Sequence, residues 1–190
     1  MKNEYYHQKA SVEEYINLAK DVNSRGLIEK LQAYLKPQSK VLEIGSGPGT
    51  DWQILSENFQ VIGSDYSTLF VERLQRLNPK GSFLQLDAIS LECDQHFDAL
   101  YSNKVFQHLD EDELEQSLLR QKEILTKAGV VCHSFWRGQG SENFKGMQVH
   151  YREKVELKKH FEKHFEILLL ESYAEFEKDD SLVIIGRLKG

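Results

Sequence analysis

A glycine-rich segment, Gly45-Ser46-Gly47-Pro48-Gly49, carries the strongest chemical signal in this sequence of 190 residues. It follows an apolar run predicted as a strand and precedes a helical pattern that begins at about Thr50. Glycines at such a turn let the backbone bend tightly and let a ligand approach without a Cβ in the way. Asp65 lies 20 residues after Gly45, at the end of the second predicted strand. A carboxylate there can accept hydrogen bonds from the two hydroxyls of an adenosine ribose, so the pattern predicts a nucleoside-cofactor site.

The spacing of the glycines bears on which cofactor is bound. The loop is G-x-G-x-G, whereas the dinucleotide fingerprint is G-x-G-x-x-G/A, whose third site is Thr50 here. Pro48 also removes one backbone N–H from the loop. Both features disfavour a pyrophosphate, but an NAD(P)-dependent oxidoreductase remains the alternative interpretation.

Two histidines are candidate catalytic residues near the predicted cofactor site. His108 follows the fourth predicted strand, and His133 lies in the fifth. A histidine can act as a general base near neutral pH, but each of these can equally be a packed structural side chain. Further candidates for contact with a substrate are Tyr5, Tyr6, His7, Trp136, Arg137 and Arg152. The two arginines can bind a carboxylate in a fork geometry or can simply be solvated.

No metal is predicted. His160 and His164 lie four residues apart on a predicted helix, but no Glu follows the first of them as H-E-x-x-H requires. Lysines surround them, which favours a solvated face near a helix C-terminus. Cys93 and Cys132 are the two cysteines and form no C-x-x-C pair, so neither a disulfide framework nor a cysteine zinc site is expected.

These side chains must be positioned by alternating strands and helices, which indicate βαβ units and a mostly parallel sheet. Helical patterns are expected over 24–35 and 153–164, from Thr50, after a cap at Ser67, and within the first 36 residues with a capping box at Ser11. Asp110 and Glu113 predict another capping box, and 137–146 is expected to be a loop. The last two strands should form an antiparallel hairpin at the sheet edge. The predicted strands are 40–44, 60–65, 82–87, 97–102, 129–135, 165–172 and 181–188.

Composition sets outer bounds on function. The chain has 30 acidic and 24 basic residues and a net charge of −6, which argues against a protein that wraps nucleic acid. No apolar run approaches the roughly 20 residues of a membrane helix, and the N-terminus lacks the apolar core of a signal peptide. We therefore expect a soluble, single-domain, cytoplasmic protein with no membrane insertion.

Five segments in order resemble the motifs of class I S-adenosylmethionine-dependent methyltransferases, particularly the small UbiE-like group (methyltransferase types 11 and 25). This resemblance implies a Rossmann-like, doubly wound α/β fold with a mostly parallel seven-stranded sheet, an antiparallel edge strand and helices on both faces. It also implies an N-terminal helical cap over 1–36, a cofactor-binding core over 37–135, and an acceptor-side insertion with a terminal β-hairpin over 136–190. The five segments are 41–49, 61–67, 84–88, 97–103 and 125–131.

The resemblance assigns one set of residues to the methionine end of S-adenosylmethionine. Glu43 would organise the loop and approach the cofactor, and Asn103 would lie beside the methionine moiety, mainly by its backbone. The loop residues implied to make close contact are Gly45, Ser46, Gly47 and Gly49.

A second set is implied to hold the adenosine. Asp65 would bind the ribose hydroxyls, and Tyr66 would pack on the adenine. Asp87 would accept from the adenine amino group, and the Ala88 N–H would meet a ring nitrogen. Tyr66 can instead cover the sheet edge, and Asp87 can be a turn residue only.

The implied reaction is in-line transfer of the methyl group to a small-molecule acceptor, driven mainly by positioning, with S-adenosylhomocysteine as product. The protein would act as a monomer or homodimer. No Asn-Pro-Pro-Tyr-like motif follows the fourth strand, where the chain has Ser102-Asn103-Lys104-Val105, so a nucleic-acid substrate is not expected. A domain that binds the cofactor without catalysis is the second alternative. Specificity is expected to lie in the N-terminal helices and in residues 137–152.

Overall fold

The computed structural model describes residues 4–190, with the side chains of residues 4, 5 and 21 left out. The expected role of Tyr5 therefore lies outside the described side chains.

A seven-stranded sheet forms the centre of the molecule, with strand order β3-β2-β1-β4-β5-β9-β8. Strands β1 to β5 run parallel, and β9 runs antiparallel to both of its neighbours, β5 and β8. A separate two-stranded hairpin joins β6 and β7. The strands are β1 (Lys40–Ile44), β2 (Gln60–Asp65), β3 (Ser82–Gln85), β4 (Phe97–Asn103), β5 (Leu125–Trp136), β6 (Ser141–Phe144), β7 (Met147–His150), β8 (Phe165–Tyr173) and β9 (Ser181–Leu188).

Helices cover both faces of the sheet because successive strand residues point to opposite faces. In β1, Leu42 belongs to the apolar cluster that includes Leu118 and Phe161, whereas Val41 belongs to the cluster that includes Leu31. The α-helices are α1 (Lys9–Leu18), α2 (Arg25–Gln32), α3 (Thr50–Leu55), α4 (Thr68–Leu77), α5 (Glu111–Ile124) and α6 (Lys154–Phe161). Helices α5 and α6 thus pack on one face and α2 on the other, which confirms the predicted doubly wound α/β fold.

The carboxyl ends of β1, β2 and β4 meet at one edge of the sheet because these strands are parallel neighbours. In an open α/β sheet this edge, where the strand order reverses, is where ligands bind. The glycine loop after β1, Asp65 at the end of β2 and Asn103 at the end of β4 all lie there.

Several local predictions match the structure. The bounds of β1, β2 and β9 are those expected from the sequence. The capping box of α5 is present: Asp110 Oδ1 accepts from the Glu113 N–H at 3.0 Å, and Glu113 Oε2 accepts from the Asp110 N–H at 3.0 Å. The terminal hairpin of β8 and β9 lies at the sheet edge.

Other local predictions are wrong. Helix α1 begins at Lys9 after Gln8, so Ser11 lies inside the helix and caps nothing. Ser67 precedes α4, but its hydroxyl donates to the Tyr6 carbonyl at 2.6 Å instead of capping the helix. Strand β3 ends at Gln85, two residues early, because the chain turns there.

The expected loop over 137–146 contains β6, which pairs with β7. The two turn residues, Lys145 and Gly146, have φ values of 53° and 83°. Positive φ at both central positions gives the backbone twist that suits a two-residue hairpin. Strand β6 is exposed along its whole length, and the alternation of buried Met147 and Val149 in β7 spans only four residues, so the sequence carries little signal for this hairpin.

Candidate functional site

The glycine loop makes the tight turn that the sequence predicts. Gly45 and Gly49 have φ values of 74° and 89°, in the left-handed region. A Cβ at Gly45 would lie 2.4 Å from Val105 Cγ2, and one at Gly49 would lie 2.3 Å from Leu74 Cδ2. Any other residue at these positions would be strained by the positive φ and would displace the Val105 or Leu74 side chain, so both positions favour glycine.

Two acidic side chains lie beneath this loop. Glu43 is 2% exposed and accepts a hydrogen bond from Ser46 Oγ at 2.6 Å. Burial, together with the negative charge of Asp51, raises the pKa of Glu43 well above its usual range. Asp51 Oδ2 accepts from the Tyr101 hydroxyl at 2.7 Å and from Asn103 Nδ2 at 3.2 Å, and burial raises its pKa as well.

Asp51 is a site residue that sequence reasoning missed. An acid in the first turn of a helix is an ordinary helix start, since it favours the positive end of the helix dipole. Asp51 occupies such a position in α3, yet its side chain faces the cleft. The available signal was its place two residues after the last loop glycine.

Asp65 joins the glycine loop to the start of α4. Its Oδ2 accepts from the Gly47 N–H at 2.9 Å, and its Oδ1 accepts from the Ser67 N–H at 2.8 Å. A carboxylate has about four lone-pair sites, so Asp65 keeps acceptor capacity for a ligand hydroxyl. Burial raises the pKa of Asp65 to about 6, although the backbone N–H groups favour its charged form.

The other residues assigned to the adenosine lie beside Asp65. Tyr66 is 46% exposed and meets His7 edge to face, with ring centroids 5.3 Å apart. Asp87 Oδ1 accepts from the Ile89 N–H at 2.7 Å, which is the turn that the alternative interpretation expected. Asp65, Tyr66, Asp87 and Ala88 nevertheless line one cavity of about 310 Å³.

A second cavity, of about 580 Å³, continues from the first. Both volumes fall within the range of small-molecule sites, about 300–1,000 Å³. The second cavity extends past Glu43 and Asp51 to the β6–β7 hairpin and to the connection between β8 and β9. We call the two cavities together the cleft. The residues that line both are Tyr6, Tyr15, Gly45, Gly47, Asn103, Lys104 and His108.

The N-terminal segment covers the middle of the cleft. Tyr6 and Tyr15 pack edge to face at 5.3 Å, and both contact Phe70 of α4. An ion pair between Lys145 and Glu14 joins the β6–β7 hairpin to α1. The two expected specificity regions therefore meet over the cleft.

His108 lines both parts of the cleft. Its Nδ1 lies 2.9 Å from the Gln148 carbonyl oxygen. A carbonyl oxygen only accepts, so Nδ1 carries the hydrogen and Nε2 keeps a lone pair. Burial lowers the pKa of His108. The ring is therefore neutral near pH 7 and has one nitrogen able to take a proton.

His133 does not belong to the cleft, and its expected catalytic role is corrected. The side chain has no exposed surface and lies between Ser102 Oγ, 2.8 Å from Nδ1, and Gln121 Oε1, 3.0 Å from Nε2. Burial lowers its pKa to about 3. The physical reason is its orientation, because His133 points from the face of β5 into the core beneath α5.

The remaining candidates divide between cleft and core. Trp136 and Arg137 line the cleft. Arg152 is 3% exposed and donates to the Leu109 carbonyl at 2.8 Å, so it is a core residue rather than a solvated one.

The expected solvated face at His160 and His164 is also wrong. Both rings face Glu115 of α5, with His164 Nε2 at 2.9 Å and His160 Nδ1 at 3.4 Å, and His160 is 7% exposed. Within residues 4–190 as described, no group of three His, Cys, Asp or Glu side chains is placed to hold a metal ion. No helix in that part of the chain is both long and apolar enough to cross a membrane.

Comparisons with known proteins agree with this geometry. Residues 41–129 match a family described as a methyltransferase domain. An uncharacterized methyltransferase of Oceanobacillus iheyensis is 33% identical over 96 residues, which cover 50% of this chain and 45% of that protein. The chain thus spans less than half the length of this curated relative.

Solved structures share the fold. A Burkholderia thailandensis 1,6-didemethyltoxoflavin-N1-methyltransferase, crystallised with 1,6-didemethyltoxoflavin and S-adenosylhomocysteine, has a TM-score of 0.80 at 19% identity, over 95% of this chain and 85% of that one. The N-methyltransferase NodS of Bradyrhizobium japonicum, with S-adenosylhomocysteine, has a TM-score of 0.78 at 14% identity, over 98% of this chain and 100% of that one. Over residues 41–129, just under half of its length, the chain is thus similar to a methyltransferase domain, and its fold is shared with solved methyltransferases. These likenesses support the resemblance seen in the sequence.

Proposed function

We propose that this protein transfers the methyl group of S-adenosylmethionine to a small-molecule acceptor bound in the larger part of the cleft. The observation that carries the proposal is the continuity of the cleft over the glycine loop. Asp65 lies in one part, Glu43 and Asp51 lie in the other, and His108 lines both. A nucleoside cofactor and an acceptor can therefore lie end to end.

The residues fit this cofactor. Asp65 retains lone pairs for the ribose hydroxyls, and Tyr66, Asp87 and Ala88 line the same cavity for the adenine. Glu43 and Asp51 form no ion pair with the described residues, and the pKa of each carboxyl group is raised. A cationic ligand beside them favours their charged form. These two acids therefore suit the end of the cofactor that carries the ammonium and sulfonium groups.

When bound, S-adenosylmethionine supplies an electrophilic methyl group on a sulfonium. The protein orients the acceptor toward that group and excludes water, which can contribute about 7–11 kcal/mol. His108 Nε2 takes the proton of an acceptor O–H or N–H as the new bond to carbon forms. The cofactor would leave as S-adenosylhomocysteine, with the electron pair of the broken carbon–sulfur bond on sulfur. A general base of this kind adds about 10²–10⁴-fold to the rate.

The solved neighbours support a small-molecule acceptor. One is named for methylation of 1,6-didemethyltoxoflavin at N1, and another is named an N-methyltransferase. The net charge of −6 disfavours a polyanionic substrate such as nucleic acid. Action as a monomer or homodimer, a cytoplasmic location and the division of the chain at residues 36 and 135 remain predictions.

Acceptor-dependent turnover tests the proposal. Purified protein is incubated with S-adenosylmethionine and pools of small-molecule nucleophiles, and S-adenosylhomocysteine is quantified by mass spectrometry. We expect at least one pool to raise its formation above the acceptor-free rate, and Asp65→Asn to remove that increase. If no pool does so while S-adenosylhomocysteine still binds, the protein is a cofactor-binding module without methyl transfer.

A further inference from the structure

The outer end of the larger cavity exposes aromatic side chains. Phe176, in the connection between β8 and β9, is 71% exposed, and Phe144, at the end of β6, is 47% exposed. Both line the cleft together with Leu18 of α1, which is 60% exposed. Large apolar side chains gathered from three elements at one opening are typical of a binding site for an apolar ligand.

Phe176 is held in place as part of a fixed aromatic surface. It stacks on Trp136 with ring centroids 5.9 Å apart and an interplanar angle of 26°. Asp180 fixes the connection by accepting backbone N–H bonds from Glu175, Phe176 and Glu177 at 2.8–2.9 Å. Aromatic rings favour offset stacking of this kind. A planar ring can therefore bind against Phe176 at little cost in ordering the protein.

A cation site lies next to this surface, and Lys104 already fills it. The Lys104 ammonium is 3.4 Å from the Trp136 ring centroid and 5.3 Å from that of Tyr173. It also pairs with Glu175 and donates to Ser181 Oγ at 2.8 Å. Aromatic rings with a carboxylate are the arrangement that binds cationic amines. Because the protein's own lysine occupies it, a second cation would meet repulsion there.

The other charged groups at this end are also engaged within the protein. Glu142 accepts from the Tyr151 hydroxyl at 2.7 Å, and Arg137 lies 3.5 Å from Glu153. Asp180 already accepts three backbone N–H bonds. These hydrogen bonds leave the carboxylates of Glu142 and Asp180 negatively charged, so an anionic acceptor would be repelled at this end of the cavity.

We propose that the acceptor is a neutral, planar aromatic compound that carries an ionisable O–H or N–H. Its ring packs on Phe176 and beneath Phe144, and its ionisable group points toward His108. This inference rests on the proposed function, because it names the acceptor class of that same cleft. His108 takes the proton, the oxygen or nitrogen gains the methyl group, and sulfur keeps the electron pair of the broken bond.

Tryptophan fluorescence can test this class directly. The chain has two tryptophans, and Trp52 packs on Phe83 away from the cleft. In Trp52→Phe protein saturated with S-adenosylhomocysteine, Trp136 is the single reporter. We expect 4-nitrophenol to quench it saturably, with a Kd at least tenfold lower than that of (4-nitrobenzyl)trimethylammonium.

Matched variants locate the probe. Phe176→Ala and Phe144→Ala, each in the Trp52→Phe background, should raise the Kd for 4-nitrophenol at least fivefold. The control is Leu119→Ala, at an exposed apolar residue of α5, which should leave the Kd for 4-nitrophenol unchanged. Lys104→Ala should vacate the cation site and improve binding of the ammonium probe at least tenfold.

The inference is overturned if 4-nitrophenol shows no saturable binding, or if the ammonium probe binds Trp52→Phe protein that retains Lys104 as tightly as 4-nitrophenol does. It is also overturned if the phenylalanine or lysine variants leave the Kd values of the probes unchanged. Calorimetry of S-adenosylhomocysteine on the same samples separates the two proposals. Cofactor binding without probe binding rejects the aromatic acceptor alone, whereas absence of cofactor binding rejects the proposed function.

Discussion

Among single residues, we expect Asp65 to contribute most to cofactor binding. Its carboxylate lies beside the glycine loop, and its hydrogen bonds from Gly47 and Ser67 fix its orientation. Hydrogen bonds to a charged group contribute about 1.5–3 kcal/mol each. The loss of its charge should therefore weaken cofactor binding without removing the turn that it supports.

Asp65→Asn should raise the Kd for S-adenosylhomocysteine at least 30-fold, about 2 kcal/mol, as measured by calorimetry. Asp94→Asn, at an exposed position away from the cleft, is the matched control and should change nothing. The wild-type affinity should also fall about tenfold between pH 7 and pH 5, because the pKa of Asp65 is about 6 and its charged form accepts better. An unchanged Kd in Asp65→Asn would exclude the ribose assignment.

The same pKa has a consequence for the unliganded protein. The folded-state pKa of about 6 lies above the usual value of about 3.9 for aspartate. Between these pH values the folded protein holds a proton that the unfolded chain has lost. The contribution of Asp65 to stability therefore falls as the pH rises from about 4 to about 6.

His108→Ala should lower kcat about 10²–10⁴-fold once an acceptor is known, because the proton acceptor is lost. The affinity for S-adenosylhomocysteine should stay within about threefold of wild type, as measured by calorimetry. In the wild type, kcat/KM should decrease as the pH falls through the lowered pKa of His108. This acidic limb of the pH profile should be absent in His108→Ala. An unchanged acidic limb would show that another group takes the proton.

At the scale of elements, one acid joins α5 to α6. Glu115 faces His160, Lys163 and His164, with the closest contact at 2.7 Å to Lys163 Nζ. Burial raises the pKa of Glu115, but hydrogen bonds from Lys163, His164 and His160 outweigh this effect and lower it to about 2. The two helices cover the face of the sheet that holds the core beneath the cleft.

Glu115→Gln should reduce the free energy of unfolding at pH 7, measured by urea denaturation, by about 1 kcal/mol. The effect is modest because 26% of the side chain is exposed and solvent screens its ion pairs. The folded-state pKa is depressed, so the contribution is present above about pH 4.3 and is lost as the pH falls toward 2. Glu123→Gln removes an exposed pair with Arg120 on the same helix and should cost less than about 0.5 kcal/mol. Equal effects of the two changes at pH 7 would mean that Glu115 does not join the helices.

Elements with a local signal could be predicted, and elements fixed by distant contacts could not. The capping box of Asp110 and Glu113 is a four-residue pattern and matches the structure. Ser11 has a similar pattern but lies inside α1, because the helix begins earlier than the box requires. His133 shows the same limit, since alternation in a fully buried strand does not tell which face carries a polar contact.

At the scale of the whole molecule, the cleft exists because neighbouring parallel strands end at one edge. The sequence predicted the residues at this edge through the glycine loop and the acidic residue that ends the second strand. It did not predict that Lys104 contacts Glu175 and Ser181, because both partners lie more than 70 positions from Lys104 along the chain. The part of the cleft around Asp65 is therefore encoded locally, whereas the larger part depends on how the terminal hairpin and the β6–β7 hairpin fold over it.

Cofactor binding should stabilise the whole fold. S-adenosylhomocysteine at about 100 times its Kd should add about 2.7 kcal/mol. For a chain of this size that raises the Tm by about 5–10 °C, measured by differential scanning calorimetry. Asp65→Asn at the same ligand concentration should show a clearly smaller rise, and an equal rise would mean that the ligand binds elsewhere.

The most direct measurement of the central claim is isothermal titration calorimetry of S-adenosylhomocysteine, NAD⁺ and NADP⁺ against the purified wild-type protein. We predict saturable one-to-one binding of S-adenosylhomocysteine and no binding heat from either dinucleotide at the same concentrations. Binding of NAD⁺ or NADP⁺ without binding of S-adenosylhomocysteine would contradict the assignment of the cleft to a methyl-donor cofactor.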